Sequence, residues 1–183
     1  GNAIATLAAN RTGNISYSDA DGFTVGTIAT TNGITSTGAV NLTAGGDDSL
    51  LDIQQAISAG ANSVFIADNM NIAAAINNPG FSVDLRPEAN ADSGDEIALG
   101  QAGDATANTL EFSVAEIGQI TAALLRIGDS QSGAIAVQNA LAPGSVSSLA
   151  LVSGQGITQQ AAATLTIQDL SLEAGGDIDL LEN

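Results

Sequence analysis

The sequence predicts an all-β solenoid, a parallel β-helix. Three observations carry that prediction. Apolar and polar residues alternate with period two in many short runs, as in strands whose successive side chains point to opposite faces. Gly, Asn, Asp and Pro separate these runs at short intervals, and these are turn formers. The runs recur with no shift in composition along the chain, the mark of a fold that grows along one axis. The pattern is plainest in TLTIQDLSLEAGGDIDLL, where Leu165, Ile167, Leu170, Leu172, Ile178 and Leu180 alternate with polar residues about a Gly175-Gly176 hinge. AVNLTAGGDDSLL, from Ala39 to Leu51, repeats the design about Gly45-Gly46.

Taken in order, alternation or compact apolar character predicts strands at Ile4 to Leu7, Ile15 to Tyr17, Phe23 to Ile28, Val40 to Leu42, Val64 to Ala67, Ile72 to Ile76 and Phe81 to Leu85. The series continues with Ile97 to Leu99, Leu110 to Val114, Leu124 to Ile127, Ile135 to Val137, Leu149 to Val152, Leu165 to Ile167, Leu170 to Leu172 and Ile178 to Leu181. Thr12-Gly13-Asn14, Asp21-Gly22, Asn32-Gly33, Pro79-Gly80, Pro143-Gly144 and Gly154-Gln155-Gly156 are expected turns between them. Leu50 to Ala59 and Val114 to Leu125 have some helical character. They are read as local turns, because strand signals resume at once on both sides.

Composition narrows the architecture. The 183 residues suffice for one domain with a sizeable core. An antiparallel sandwich expects aromatic-rich strands, whereas this chain is 3% aromatic and lacks Trp. Small residues with inward Leu, Ile and Val suit a β-helix, in which like residues stack at the ~4.8 Å strand spacing. At roughly 20 to 25 residues per coil, about eight coils would form a rod roughly 40 Å long. With 44% hydrophobic residues in regular alternation, the chain is not read as disordered.

Charge narrows the partners. Twenty acids face three arginines, Arg11, Arg86 and Arg126, with no Lys or His, for a net charge of -17. Nucleic acid and anionic membrane surfaces require Lys and Arg, so neither is an expected partner. The absence of Cys rules out a disulfide framework or a thiolate metal site. No apolar stretch approaches the ~18 residues of a membrane span. The chain opens at Gly1 without a recognisable signal peptide and is expected to be an interior piece of something longer.

The segment from Ser82 to Asp129 carries VDLRP (Val83 to Pro87), DEIALG (Asp95 to Gly100), TLEFSVAEIGQIT (Thr109 to Thr121) and the start of LLRIGDSQSGAIAV (Leu124 to Val137). It resembles the repeat regions of giant bacterial surface exoproteins of the filamentous haemagglutinin type. The following LALVSGQGITQQAAATLTIQDLSLEAGGDIDL and the N-terminal TLAANRTGNISYSDADGFTVGTI are similar to other blocks of those repeats, so the resemblance covers most of the chain. It implies a right-handed parallel β-helix, secretion across the outer membrane, and an adhesin or fibre role at the bacterial cell surface. The secretion domain of that family is not recognisable here.

Written tail to head, GGDIDLLEN followed by GNAIATLAAN keeps the alternation going, with a turn-like Asn183-Gly1-Asn2 at the join. Neither end reads as the polar cap that solenoids normally carry. Residues 1–183 are therefore expected to form a single β-helix unit, one repeat of a longer tandem array or fibre. Its partners would be identical or similar units end to end, and the surface of a host or neighbouring cell. Head-to-tail contacts that do not close generate a filament.

No catalytic, cofactor-binding or metal-ligating residues are assigned, and the chain is read as a non-enzyme. Asp19-Ala20-Asp21-Gly22 lacks the further oxygen ligands of a calcium loop, since Phe23 stands two residues beyond Asp21. Asp47-Asp48 and Asp95-Glu96 are adjacent acids, and strand neighbours point to opposite faces, so neither pair could line one cleft unless it lay in a turn. Gly154-Gln155-Gly156 lacks the third glycine of a dinucleotide loop. Thr164-Leu165-Thr166 and Thr35-Ser36-Thr37 are too isolated to make the Thr rows of an ice-binding face. The sequons at Asn10, Asn14 and Asn41 are read as ordinary turn and outward strand residues. Arg86 and Arg126 are expected to pair with nearby acids. The Glu88 to Gly94 loop, the longest acidic insertion, is the expected place for any specific binding. A carbohydrate-acting or carbohydrate-binding β-helix is the alternative function; it would need an acid-lined groove or exposed aromatic platforms.

Overall fold

The computed structural model describes residues 3–88, 95–101, 106 and 108–180. These residues are nearly all β. In chain order the first strands are β1 (Thr6–Leu7), β2 (Ala9–Arg11), β3 (Ile15–Asp19), β4 (Phe23–Val25), β5 (Thr27–Ile28), β6 (Thr31–Asn32), β7 (Ile34–Ser36), β8 (Val40–Ala44), β9 (Leu50–Ile53), β10 (Ile57–Ser58), β11 (Ser63–Ile66), β12 (Asn69–Ile72) and β13 (Ile76–Arg86). There follow β14 (Glu96–Leu99), β15 (Thr109–Phe112), helix α1 (Val114–Gly118), β16 (Ile120–Ile127), β17 (Ile135–Val137), β18 (Val146–Ser153), β19 (Ile157–Gln159), β20 (Asp169–Ala174) and β21 (Ile178–Asp179).

The strands stack in parallel ladders to which the chain keeps returning. A first ladder runs β1-β4-β9-β12, and β15-β14-β17-β19-β21 form a second sheet whose β15 lies against β12. Another runs β2-β7-β10 onto the first half of β13, and a third runs β3-β8-β11 onto its second half. β13 continues upward through β16, β18 and β20. Among the described strands only β5 and β6 pair antiparallel, as a hairpin. Parallel pairing excludes the antiparallel sandwich.

Register explains the core. Ile34, Ile57, Ile76 and Ile120 lie in one column, rung on rung. Tyr17, Leu42, Phe65, Leu85, Ile127, Leu151 and Leu172 form a second, and Leu110, Ile97, Ile135, Ile157 and Ile178 a third. Side chains on successive rungs sit ~4.8 Å apart, so like aliphatics make continuous dispersion contact and exclude water. Burial is complete in the middle, where Leu42, Phe65 and Leu85 have no exposed surface, and it fades towards the ends, where Ile4 is 37%, Leu170 38% and Ile178 47% exposed.

Several expected boundaries differ. The predicted Phe23 to Ile28 strand breaks at Gly26, where the chain leaves for the β5–β6 hairpin, with Ala29 at φ 53° in its turn. Ile72 to Ile76 is not one strand: the amides of Ala73 and Ala74 both donate to the Ile53 carbonyl, turning the chain from β12 to β13. Leu165 to Ile167 forms only an isolated bridge, Leu165 to Leu141. Leu50 to Ala59 is neither helix nor mere turn but holds β9 and β10. Val114 to Gly118 is a one-turn helix, because Ser113 and Glu116 form a reciprocal capping box there, and β16 follows directly. Strand order departs from chain order once: β14 lies between β15 and β17. Residues 181–183, 1–2 and 89–94 lie outside the described residues, and with them Leu181, the Asn183-Gly1-Asn2 join and most of the Glu88 to Gly94 loop.

Candidate functional site

The feature with most chemical character is an acidic corner, made where the third ladder and its continuation through β13, β16, β18 and β20 turn into the first ladder and then into the second sheet. Most crossings use Gly or Asp, which favour turns. Ala20–Gly22 follows β3, which ends on Asp19, Gly45–Ser49 follows β8, Ala67–Asp68 follows β11, Pro87–Glu88 follows β13, Asp129–Ala134 follows β16, Gly154–Gly156 follows β18 and Gly175–Asp177 follows β20. Backbone bonds tie corner to corner: Gly45 N–H to the Asp19 carbonyl at 2.8 Å, Ala67 N–H to that of Arg86 at 3.2 Å, Gly133 N–H to that of Asp95 at 2.9 Å and Gly154 N–H to that of Ser132 at 2.9 Å. Carboxyls scattered through the sequence (Asp19, Asp21, Asp47, Asp48, Asp68, Glu88, Asp95, Asp129 and Asp177) are thereby aligned on one edge.

At the N-terminal end Asp19 is 2% exposed. Its carboxylate accepts from the Tyr17 hydroxyl at 2.5 Å, the Ile4 amide at 3.2 Å and the Asp21 amide at 3.4 Å. The Tyr17 bond, reinforced by the amides, lowers its pKa against the opposing effect of desolvation. Tyr17 is pushed up to about 12 by desolvation and by the neighbouring Asp19 charge. Its ring meets Phe23 edge-on at 5.0 Å.

Further along, two contacts join neighbouring crossings. The Gly46 amide donates to Glu88 Oε2 at 2.8 Å and the Glu88 amide to Asp68 Oδ1 at 2.9 Å. Asp68 and Asp95 are 2% and 3% exposed. Desolvation raises the Asp68 pKa; the Glu88 N–H and the neighbouring Asp95 oppose it, and the Glu88 charge adds to it. A fourth buried acid, Glu111, lies away from the corner and accepts from Thr106 Oγ1 at 2.9 Å and Gln101 Nε2 at 3.4 Å.

The residues singled out in the sequence are distributed as follows. Asp47 and Asp48 are exposed, and Asp95 is buried while Glu96 is exposed, so that pair does face opposite ways. Arg86 binds Asp129 at 3.2 Å. Arg126 sits beside Asp84 in register; burial raises the Asp84 pKa although Arg126 and Arg86 oppose it. Arg11 is exposed on β2. The Oδ1 atoms of Asn14 and Asn41 accept from the amides of Ala39 and Val64 on the next rung, and Asn10 is exposed on β2. Gly154-Gln155-Gly156 is a corner between β18 and β19. Thr35 and Thr37 are exposed around the buried Ser36, and Thr164 and Thr166 flank the Leu165 bridge. Sequence reasoning missed Asp68 and Glu111. For Asp68 the available signal was an acid placed directly after the apolar run Val64 to Ala67.

Among the described residues no group of three or more acids converges closely enough to hold a metal ion. Two shallow grooves, of about 450 Å³ beside Pro143 and Gln168 and about 340 Å³ beside Leu50 and Asp52, bring no two carboxyls together. No helix is long and apolar enough to cross a membrane. The chain matches no protein-family model, no curated protein and no solved structure. What the arrangement offers chemically is a negative edge along a stack whose outermost rungs carry half-exposed aliphatics.

Proposed function

We propose that this chain is a structural and adhesive unit of an extracellular bacterial surface fibre or adhesin stalk of the filamentous haemagglutinin type, built as a right-handed parallel β-helix. One observation carries the reading: parallel ladders superpose like aliphatic residues rung after rung, as in the Ile34, Ile57, Ile76 and Ile120 column. Such a stack has length and stiffness and needs no cofactor. Units join end to end through the terminal rungs, where Ile4, Leu170 and Ile178 are exposed and strand edges are open to pairing. The acidic corner keeps neighbouring rods apart, and divalent cations draw them together.

Electron microscopy of the native material tests this. An axial repeat near one unit's length, about 40 Å at ~4.8 Å per rung, is expected. Isolated compact particles at every concentration would overturn the fibre reading. EDTA added to purified fibres is expected to loosen their bundling, and unchanged bundles would remove the cation component alone.

A further inference from the structure

We infer that one side of the stack is a docking surface for a second copy of this chain, which it meets side by side. That side is built on the ladder β2-β7-β10 and the first halves of β13 and β16, with the crossings that lead into and out of it. Its segments are residues 8–14, 26–39, 54–62, 73–82, 113–124, 138–148 and 160–168. They hold Arg11 and Glu116 and no other charged residue, so the entire net charge of -17 lies elsewhere. Glu116 is engaged within the chain by the Ile72 and Ser113 amides, and Arg11 stands on the outermost rung.

Register fixes what this side presents. Beside the inward Ile34, Ile57, Ile76 and Ile120, the outward row is Asn10, Thr35, Ser58, Asn77 and Thr121, all uncharged groups that hydrogen-bond. Three apolar side chains stand around the row. Ile28 on the β5–β6 hairpin is 47% exposed, Val114 on α1 46%, and Phe81 in the bulge of β13 40%. Among the described residues the other exposed large hydrophobics are Leu50, next to the acidic corner, and Ile4, Leu170 and Ile178 on the terminal rungs. A charge-depleted surface with projecting apolar and aromatic groups has the composition of the core of a protein–protein interface.

Charge names the partner. Two chains of net charge -17 repel wherever their acids face each other. Pairing through the uncharged side places both acidic corners on the outside of the pair, so a second copy meets almost no like charge at the contact. The size of the surface agrees. Five rung steps from β2 to β18 and the nine residues of segment 54–62 give a face of at most roughly 24 by 30 Å, about 700 Å². A standard specific interface buries about 800 Å² per partner, so the pair is reversible rather than permanent. The same patch on both copies makes the contact isologous, and it closes at two. The inference is independent of the end-to-end join of the fibre reading, which uses the terminal rungs and does not close.

Sedimentation of the full chain across concentration and salt tests this. A monomer–dimer equilibrium is expected, and pairing should strengthen as salt rises, because screening weakens the residual repulsion between the two chains. Thr35→Glu sets like charges against each other across the contact and should weaken pairing at least about tenfold. Ile28→Asp, in a hairpin outside the ladders, should do the same. Thr158→Glu, an equal change at an exposed position on the second sheet, should leave pairing nearly unchanged. Monomers at every concentration and salt would overturn the inference and leave the face to a different, uncharged partner. A dimer that Thr35→Glu and Ile28→Asp leave intact, or that Thr158→Glu weakens as much, would overturn it too. So would open-ended association that these variants do not alter, an outcome that leaves the fibre reading standing. A closed dimer with no longer species supports the inference and counts against the fibre reading alone. Circular dichroism shows whether each variant is folded, and Ile28→Asp decides the matter if Thr35→Glu is not.

Discussion

Phe65 is fully buried, with Leu42 one rung below and Leu85 one rung above. Phe65→Ala removes the ring and leaves a void that flanking rungs cannot collapse into, because their backbones are fixed by ladder bonds. The expected loss is about 3 to 5 kcal/mol, from lost transfer energy plus the cavity. The stack makes a sharper claim than this magnitude. Leu85→Ala, on the adjacent rung, shares the void, so the double variant should depart from additivity by about 0.5 to 3 kcal/mol. Leu151 is in the same column but three rungs from Phe65, roughly 14 Å at ~4.8 Å per rung. Phe65→Ala with Leu151→Ala should therefore be additive to within about 0.5 kcal/mol. Equilibrium urea denaturation of the three single and two double variants measures all of this. Coupling to Leu151 as large as coupling to Leu85, or a Phe65→Ala cost below about 1 kcal/mol, would refute the stacked-column account.

Gly128 has φ +80° and an added Cβ would run into the Val152 carbonyl, so Gly128→Ala should cost more in urea denaturation than Gly80→Ala, where φ is +83° but the space is open and about 1 kcal/mol is expected. Glu116 accepts from the Ile72 amide at 3.0 Å as well as from Ser113 N–H; Glu116→Ala should cost about 1 to 3 kcal/mol and speed hydrogen exchange at Ile72. Asp19 contributes stability that is present above the ordinary carboxylate pKa and lost as pH falls through its lowered value, whereas Tyr17 contributes stability present below 10.0 and lost as pH rises through about 12. Tyr17 is the only tyrosine, so ultraviolet titration of tyrosinate should show that late midpoint directly, and Asp19→Asn should bring it down; a midpoint near 10.0 in the unsubstituted chain contradicts the Tyr17–Asp19 bond.

The sequence made strand character legible wherever alternation was strong: Val40 to Leu42, Ile135 to Val137 and Phe81 to Leu85 all lie in strands. It was weak where strands are short or polar, as in β2, β7, β10 and β19, whose two or three residues carry too little pattern. The Ile72 to Ile76 error has a related cause, since Ala73, Ala74 and Ala75 fit a strand or a turn equally well. The corner was legible piecewise. Asp21-Gly22 and the Gly45-Gly46 hinge beside Asp47-Asp48 read as turns, but their alignment was hidden, because 18 residues separate Thr6 from Thr24 in register and 28 separate Phe23 from Leu51. Unequal spacings blur any fixed period. Nothing local shows that β14 docks beyond β15, since alternation reports which face a residue takes and says nothing of which neighbour its strand finds.

That inverted order constrains how the polypeptide can wind itself up. As far as Arg86 each new strand of the three ladders can settle on one already laid down, like thread on a bobbin, apart from the small β5–β6 hairpin. Ile97 then has no seat until Leu110 slides in beneath it, and Ile135 closes over it from above. Three segments must therefore arrive together before growth resumes, and closing the wider of those two loops carries the larger entropic cost. The slow step of self-assembly should sit in the middle of the molecule rather than at either extremity.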